Sequence, residues 1–309
     1  MSETAVSLVS RFQGCLVGLG VGDALGAPVE GMSRADIERK YGRLDKMVGG
    51  GWHILGAGDY TDDTAMMLCI ARSIAEKKRF DAADVASRFL HWFDFGPIGI
   101  GRTTMIALSE MKKGAPWNEA GRLAHQKLGG KSAGNGSIMR CAPIGLLDFK
   151  DHERLVKDSI ESSTITHWDA QACWGAVAVN LIIAGLLTGE SDGLLPDVAK
   201  RIEEPDVRET LEGVLGLDSV AGEPSAYVLD TLQAALWCFL NTSSFEDALV
   251  EAVNLGGDTD TVGAVCGAIA GARYGIEAIP QKWEGLLQGR EEILELAERI
   301  HTLAVSQPR

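Results

Sequence analysis

The sequence predicts an all-α fold, and three observations predict it. Apolar residues recur at three- and four-residue spacing along most of the chain, alternating apolar–polar runs are nearly absent, and Gly-rich clusters separate the periodic segments. No composition break or low-complexity linker divides the 309 residues, so one compact multi-helix domain spanning 1–309 is expected.

Taken in order, the N-terminal "MSETAVSLVSRFQG" lacks a basic region followed by a long apolar stretch, so no signal peptide is expected. Gly14, Gly18, Gly22 and Gly26 then fall on one face of a helix that runs out into "DALGAPVEG", delivering Asp23 and Glu30. The segment 42–60 is Gly-rich and reads as a loop. Helical periodicity follows in "DTAMMLCIARSIAEKK" and "AADVASRFLHWF", and "FGPIGIG" and "LGGKSAGNGS" read as loops. "WGAVAVNLIIAGLLTG" (174–189) is the most apolar run; it is short of the roughly 20 residues of a membrane span and carries Asn180, so it reads as a buried helix. "TGESDGLLPD" reads as a loop, and "DTLQAALWCFL" and "FEDALVEAVN" as helices. Last comes a second stripe: Gly263, Gly267, Gly271 and Gly275. Each glycine inside a helix costs roughly 1 kcal/mol relative to alanine. The expected compensation is close backbone approach, the two stripes packing in the core against each other or another element.

Composition narrows the function. Hydrophobic residues make up 46% and the formal net charge is −14, which suits a soluble globular protein and disfavours nucleic acid and anionic membranes as partners. Six scattered cysteines without a CxxC pair suit a reducing compartment, so a cytoplasmic protein is expected.

Two motifs place adjacent Asp and Thr at the start of apolar helices: "YTDDTAMM" (Thr61, Asp62, Asp63) and "GGDTDTVGAV" (Asp258, Asp260, Thr261). Either could simply cap its helix. Capping needs one side chain, however, and each motif supplies two carboxylates and a hydroxyl. Brought together near apolar helices, those carboxylates need protons or cations. Oxygen ligands without a His or Cys cluster select Mg²⁺ or Mn²⁺ over zinc, and the spacing does not match a twelve-residue calcium loop.

Phosphate-binding signatures fail on detail. "GLGVGDALG" follows no strand, and His125 stands where the phosphate-loop pattern before Lys131-Ser132 needs its first glycine. "GIGRTT" (99–104) and "KSAGNGSIMR" (131–140) remain small-residue loops that can present backbone N–H groups to a pyrophosphate or ribose, or serve as ordinary helix-start turns. On sequence alone His167 reads as a structural hydrogen-bonder before a catalyst, and Tyr227 as a packing residue before one that stacks on a ligand.

The ordered set "GVGDALGAPVE", "YTDDTAMM", "GNGSIMR", "THWDA" and "GGDTDTVGAVCGAIAGARYG" resembles the ADP-ribosylglycohydrolases, with "KMVGGGW" and "GEPSAYVLDT" closest to the branch that acts on dinitrogenase reductase. The resemblance implies an all-α hydrolase with two divalent cations, Mg²⁺ or Mn²⁺, that cleaves ADP-ribose from an ADP-ribosylated protein, arginine foremost, or from a small-molecule adduct. By motif position it implies Thr61, Asp62, Asp63 and Asp260 as ligands of one ion. Glu30, Asp258, Asp260 and Thr261 would bind the other, with Asp63 or Glu30 moving the proton. It also implies that Gly101, Arg102, Thr103, Ser132, Gly134, Asn135, Gly136, Ser137, His167 and Tyr227 bind the ADP-ribose. Gly99 stands where the arginine-specific branch has an acid, with Asp94 displaced, so serine-linked or other ADP-ribosyl adducts stay open. A non-catalytic ADP-ribose reader or crystallin-like relative, and a two-metal nucleotide phosphohydrolase, are the alternatives.

Overall fold

In a computed structural model describing residues 6–190 and 193–306, the chain is built of helices and turns. The described α-helices are α1 (Leu8–Gly26), α2 (Arg34–Tyr41), α3 (Asp62–Lys77), α4 (Ala82–Asp94), α5 (Arg102–Lys112), α6 (Trp117–Lys127), α7 (Ala142–Leu147) and α8 (His152–Thr164). They continue with α9 (Ala170–Thr188), α10 (Leu194–Ala199), α11 (Pro205–Gly213), α12 (Val228–Leu240), α13 (Phe245–Val253), α14 (Thr259–Tyr274), α15 (Gln281–Glu284) and α16 (Arg290–Ser306). Among the described residues there are no strands, only isolated bridges such as Gly134 with Tyr227.

The periodic segments all form helices, and the long Gly-rich stretch 42–60 stays non-helical. Two expectations need correction. Part of the expected loop 188–197 is helical from Leu194 onward, while Ser191 and Asp192 lie outside the described residues. The second correction concerns Gly275. It is the C-terminal stop of α14, at φ 80°, and so lies past the helical stripe, although its backbone still abuts α1, where a Cβ on Gly14 would lie 2.6 Å from its carbonyl carbon. Its left-handed backbone, open to glycine without strain, explains that position.

The central pair of the fold is α1 and α14. A Cβ placed on Gly263 would lie 2.5 Å from the Gly22 carbonyl oxygen, and one on Gly14 the same distance from that of Gly271. A Cβ on Gly18 would overlap the Gly267 carbonyl. The partner number falls by four as the α1 number rises by four, so the helices run antiparallel in backbone contact over about three turns. Arg11 closes one end of the pair. Its Nη1 donates to the carbonyls of Ala272 and Arg273 at 3.0 and 2.8 Å, covering oxygens that the end of α14 leaves unpaired. At the other end, the Thr259 hydroxyl donates to the Gly26 carbonyl at 2.9 Å.

Around this pair, α9, α12 and α13 pack on α14, while α3, α7 and α16 pack on α1. By length and composition α1 with its extension to Val29, and α9, could each cross a membrane, but 94% and 83% of their apolar windows are packed inside the protein. Both are apolar all round because helices surround them.

Candidate functional site

The acidic motifs meet where α1 ends and α3 and α14 begin. The first turn of α3 shows how. Its N-cap, Thr61, makes no side-chain capping bond, and neither Asp62 nor Asp63 supplies one. The acceptor comes from α1: both carboxylate oxygens of Asp23, fully buried, take the Thr61 N–H at 3.0 and 3.1 Å. Asp23 Oδ2 also takes the Thr64 N–H at 3.0 Å and the Thr64 hydroxyl at 2.6 Å. The cap is thus provided from another helix, which leaves Asp62 and Asp63 to face the cleft. The start of α14 is similar: Asp258 is its N-cap by position but makes no capping bond through its side chain. Asp258 Oδ2 instead accepts from Asn135 Nδ2 at 2.7 Å.

Glu30 is held on a short turn that is tied to the Asp258 loop. The Gly31 N–H donates to the Gly257 carbonyl at 2.8 Å, and the Gly257 N–H returns a bond to Met32 at 2.9 Å. Gly257 must be glycine, since its φ is 73° and a Cβ would overlap the Pro224 carbonyl. As a result, carboxylate oxygens of Glu30, Asp258 and Asp260 lie within 4.8 Å of one another. Asp62, Asp63 and Thr261 line the same cleft, of about 240 Å³, with Gly99, Gly101, Arg102, Thr103, Gly134, Asn135, Gly136 and His167.

So many acids in one buried place cannot all hold charge without help. Burial, and then the Asp23 carboxylate, pushes Asp62 up to about 8. Burial followed by Asp258 and Asp23 pushes Glu30 up to about 7. Asp63 and Asp260 are raised well above the usual range by burial and their neighbouring carboxylates. Asp63 Oδ2, besides, is buried with no hydrogen-bond partner. An orphaned oxygen, an all-oxygen donor set and acids within sharing distance fit hard divalent cations.

The remaining expected residues are spread over two compartments. A second pocket, about 690 Å³, shares Thr103, Gly134 and Ala226 with the acidic cleft and is lined also by Lys131, Ser132, Gln171 and Tyr227. Tyr227 is tied there through its hydroxyl, which donates to Gln171 Oε1 at 2.7 Å, and Ser132 pairs with His125 Nδ1 at 2.7 Å. Thr61 lines a different cavity of about 720 Å³ between α3 and α4. That larger cavity has no converging acids; its Arg72 pairs with Glu292 and its Arg88 with Asp84 and Glu76. Ser137 faces neither compartment, and its hydroxyl donates to the Ala172 carbonyl at 3.0 Å. Asp94 is engaged on the surface by Lys112 at 2.5 Å. A side chain at Gly99 would be strained at its φ of 84° and would displace the Asp62 carboxylate, because a Cβ would meet Asp62 Oδ1 at 2.6 Å.

Sequence reasoning left Asp23 out of the site, and reached Thr104, which lines the cleft, and Arg140, which lies behind it, only as the last residues of the loops 99–104 and 131–140. A lone Asp inside the apolar run "GLGVGDALG" was the available signal for Asp23, since a buried carboxylate must have partners.

Comparison with known proteins places the chain in a family. The ADP-ribosylglycohydrolase family profile matches residues 4–309. The chain is 34% identical to the ADP-ribosyl-[dinitrogen reductase] glycohydrolase of Rhodospirillum rubrum, covering 94% of each protein. It is 33% identical to an ADP-ribosylarginine hydrolase of Serratia proteamaculans, over 96% of this chain and 80% of that one. A solved structure, an ADP-ribosylglycohydrolase-related protein complex, superposes with a TM-score of 0.84 at 36% identity, over 96% of this chain and 99% of that one. The chain belongs to the ADP-ribosylglycohydrolase family, whose all-α fold it shares.

Proposed function

We propose that this family member is a hydrolase dependent on two divalent cations, Mg²⁺ or Mn²⁺, that releases ADP-ribose from a modified protein side chain, with ADP-ribosyl-arginine the first linkage to test. One observation carries the reading: six residues with oxygen side chains, from the loop after α1 and the starts of α3 and α14, converge in a cleft that shares Thr103, Gly134 and Ala226 with a neighbouring pocket. The acidic cleft suits the ribose at which the bond breaks, and the second pocket suits the rest of a dinucleotide-sized ligand.

Glu30, Asp62, Asp63, Asp258, Asp260 and Thr261 would hold the cations, with Thr61 adjoining. The cations, when bound, supply Lewis-acid polarisation at the ribose and neutralise the clustered acids. The chain supplies the rest. The start of α5, whose N-cap Gly101 has no side chain to offer, presents N–H groups beside Arg102 and Thr103 and suits a pyrophosphate. Tyr227, 37% exposed, offers a face for a base or ribose. Glu30 and Asp63 are the candidates to take a proton from the attacking water, at the Glu30 carboxylate or at Asp63 Oδ2.

The test is release of free ADP-ribose from defined arginine-, serine- and O-acetyl-linked substrates, with and without Mg²⁺ or Mn²⁺. Metal-dependent release that Asp62→Asn and Asp260→Asn abolish supports the reading. Binding without turnover, or AMP as product, refutes it in favour of a reader or a phosphohydrolase.

A further inference from the structure

Behind the cleft lies a buried chain of polar groups that the proposed chemistry does not use. Arg140 is fully buried between α3, α4 and α8, with its guanidinium 4.8 Å above the Phe89 ring. Its Nη2 donates to Thr166 Oγ1 at 2.7 Å, and Thr166 Oγ1 lies 2.8 Å from His167 Nδ1. The main chain that carries the ring is fixed in turn: the His167 backbone N–H donates to the Ser163 carbonyl at 2.8 Å, and the Ser163 hydroxyl donates to the His167 backbone carbonyl at 3.1 Å. The ring packs under Gly134 and Gly136: a Cβ on Gly136 would come within 2.6 Å of Cε1, and one on Gly134 within 3.2 Å of Nε2. Nε2 is therefore the edge of the ring turned to the wall of the cleft.

The hydrogen count settles the tautomer. A guanidinium has donors and no acceptor, so Thr166 Oγ1 must accept from Arg140. Thr166 is fully buried, and its single hydroxyl proton has one remaining partner, His167 Nδ1. If Nδ1 carried the ring proton instead, that hydroxyl proton would be stranded without an acceptor. We propose that Arg140, acting through Thr166, is a positioning residue that holds His167 with Nδ1 bare and the proton on Nε2, so that the neutral ring always offers a hydrogen-bond donor to an oxygen of the ligand in the cleft. Such wiring of one ring nitrogen to set the other is a general use of histidine. The identity of the ligand as ADP-ribose rests on the function proposed above.

Long-range ¹H–¹⁵N correlation on the full-length, ligand-free protein tests the wiring, with the His167 signals assigned by their loss in His167→Gln. The expected pattern is a neutral ring protonated at Nε2. Thr166→Val should convert part of it to the Nδ1–H form and weaken ADP-ribose binding about tenfold by calorimetry, the scale of one lost hydrogen bond. Thr166→Ser, which restores the hydroxyl, should return both to wild type. An Nδ1–H or doubly protonated ring in the wild type at pH 7, or an unchanged pattern in Thr166→Val, overturns the proposal. ADP-ribose that leaves the His167 signals unmoved, with the tautomer as expected, refutes the ligand reading and not the wiring.

Discussion

Replacing Gly263 by Ala tests the idea that backbone contact between α1 and α14 is what brings the acids together. The new methyl would sit 2.5 Å from the Gly22 carbonyl oxygen, about 1 Å inside ordinary contact. Both sides of that clash are main chain within helices, so no side chain can swing aside and the helices must separate. Overpacking of a rigid core costs about 1–3 kcal/mol, and the upper end applies here. Alanine's better helix propensity returns about 1 kcal/mol. The net expectation is a destabilisation of about 2 kcal/mol. Gly20→Ala is the control, because on the partner helix α1 its Cβ would meet side-chain methyls, those of Leu287 from 3.2 Å and Ile293 Cδ1 at 3.5 Å, and side-chain ends can adjust. That variant should match or exceed wild type by up to about 1 kcal/mol. Urea denaturation of both proteins, with EDTA present, reads the difference in midpoint. Equal midpoints for the two variants would refute the reasoning.

Other expectations follow from the electrostatics. Because burial raises the pKa of Glu30, Asp62, Asp63 and Asp260, the metal-free protein should be most stable below about pH 4 on their account. It should lose that stability as pH rises through about 7 to 8, while Mg²⁺ or Mn²⁺ should raise Tm more at pH 8 than at pH 5. A cation-induced Tm shift that is flat with pH would contradict this. Asp23→Asn should cost about 1–3 kcal/mol in urea, since an amide cannot accept the four donors of Thr61 and Thr64 with both its atoms. Away from the site, Asp158 beside Asp148 is pushed up to about 7 by burial and then by that neighbour. Ionising it opposes folding, so stability should fall between about pH 4 and 7, and Asp158→Asn should flatten that part of the Tm profile.

Much of this arrangement was legible in the sequence because it is written in local spacing. Helical periodicity gave the helices, and glycines four apart announced a backbone contact that turned out to be mutual. Doubled Asp-Thr motifs marked side chains in excess of what a cap requires. What spacing could not show is which groups satisfy one another across the fold. That α3 is capped by Asp23, some forty positions upstream, is a tertiary fact, and so are the Asn135–Asp258 bond and the Arg140–Thr166–His167 chain. Ser137 sits in the same Gly-rich loop as Asn135 yet turns away, because residues two apart in a single 3-10 turn point to different sides of it.

The glycine-lined helix pair also sets a timetable. Its two members are 233 positions apart at their nearest ends, so a nascent chain still on the ribosome holds α1 without a mate until α14 emerges. Joining segments so distant in sequence is slow, and an apolar helix left waiting is vulnerable to aggregation. The acids therefore have nowhere to gather until α14 is made, and a chain cut short ahead of it would carry half a centre.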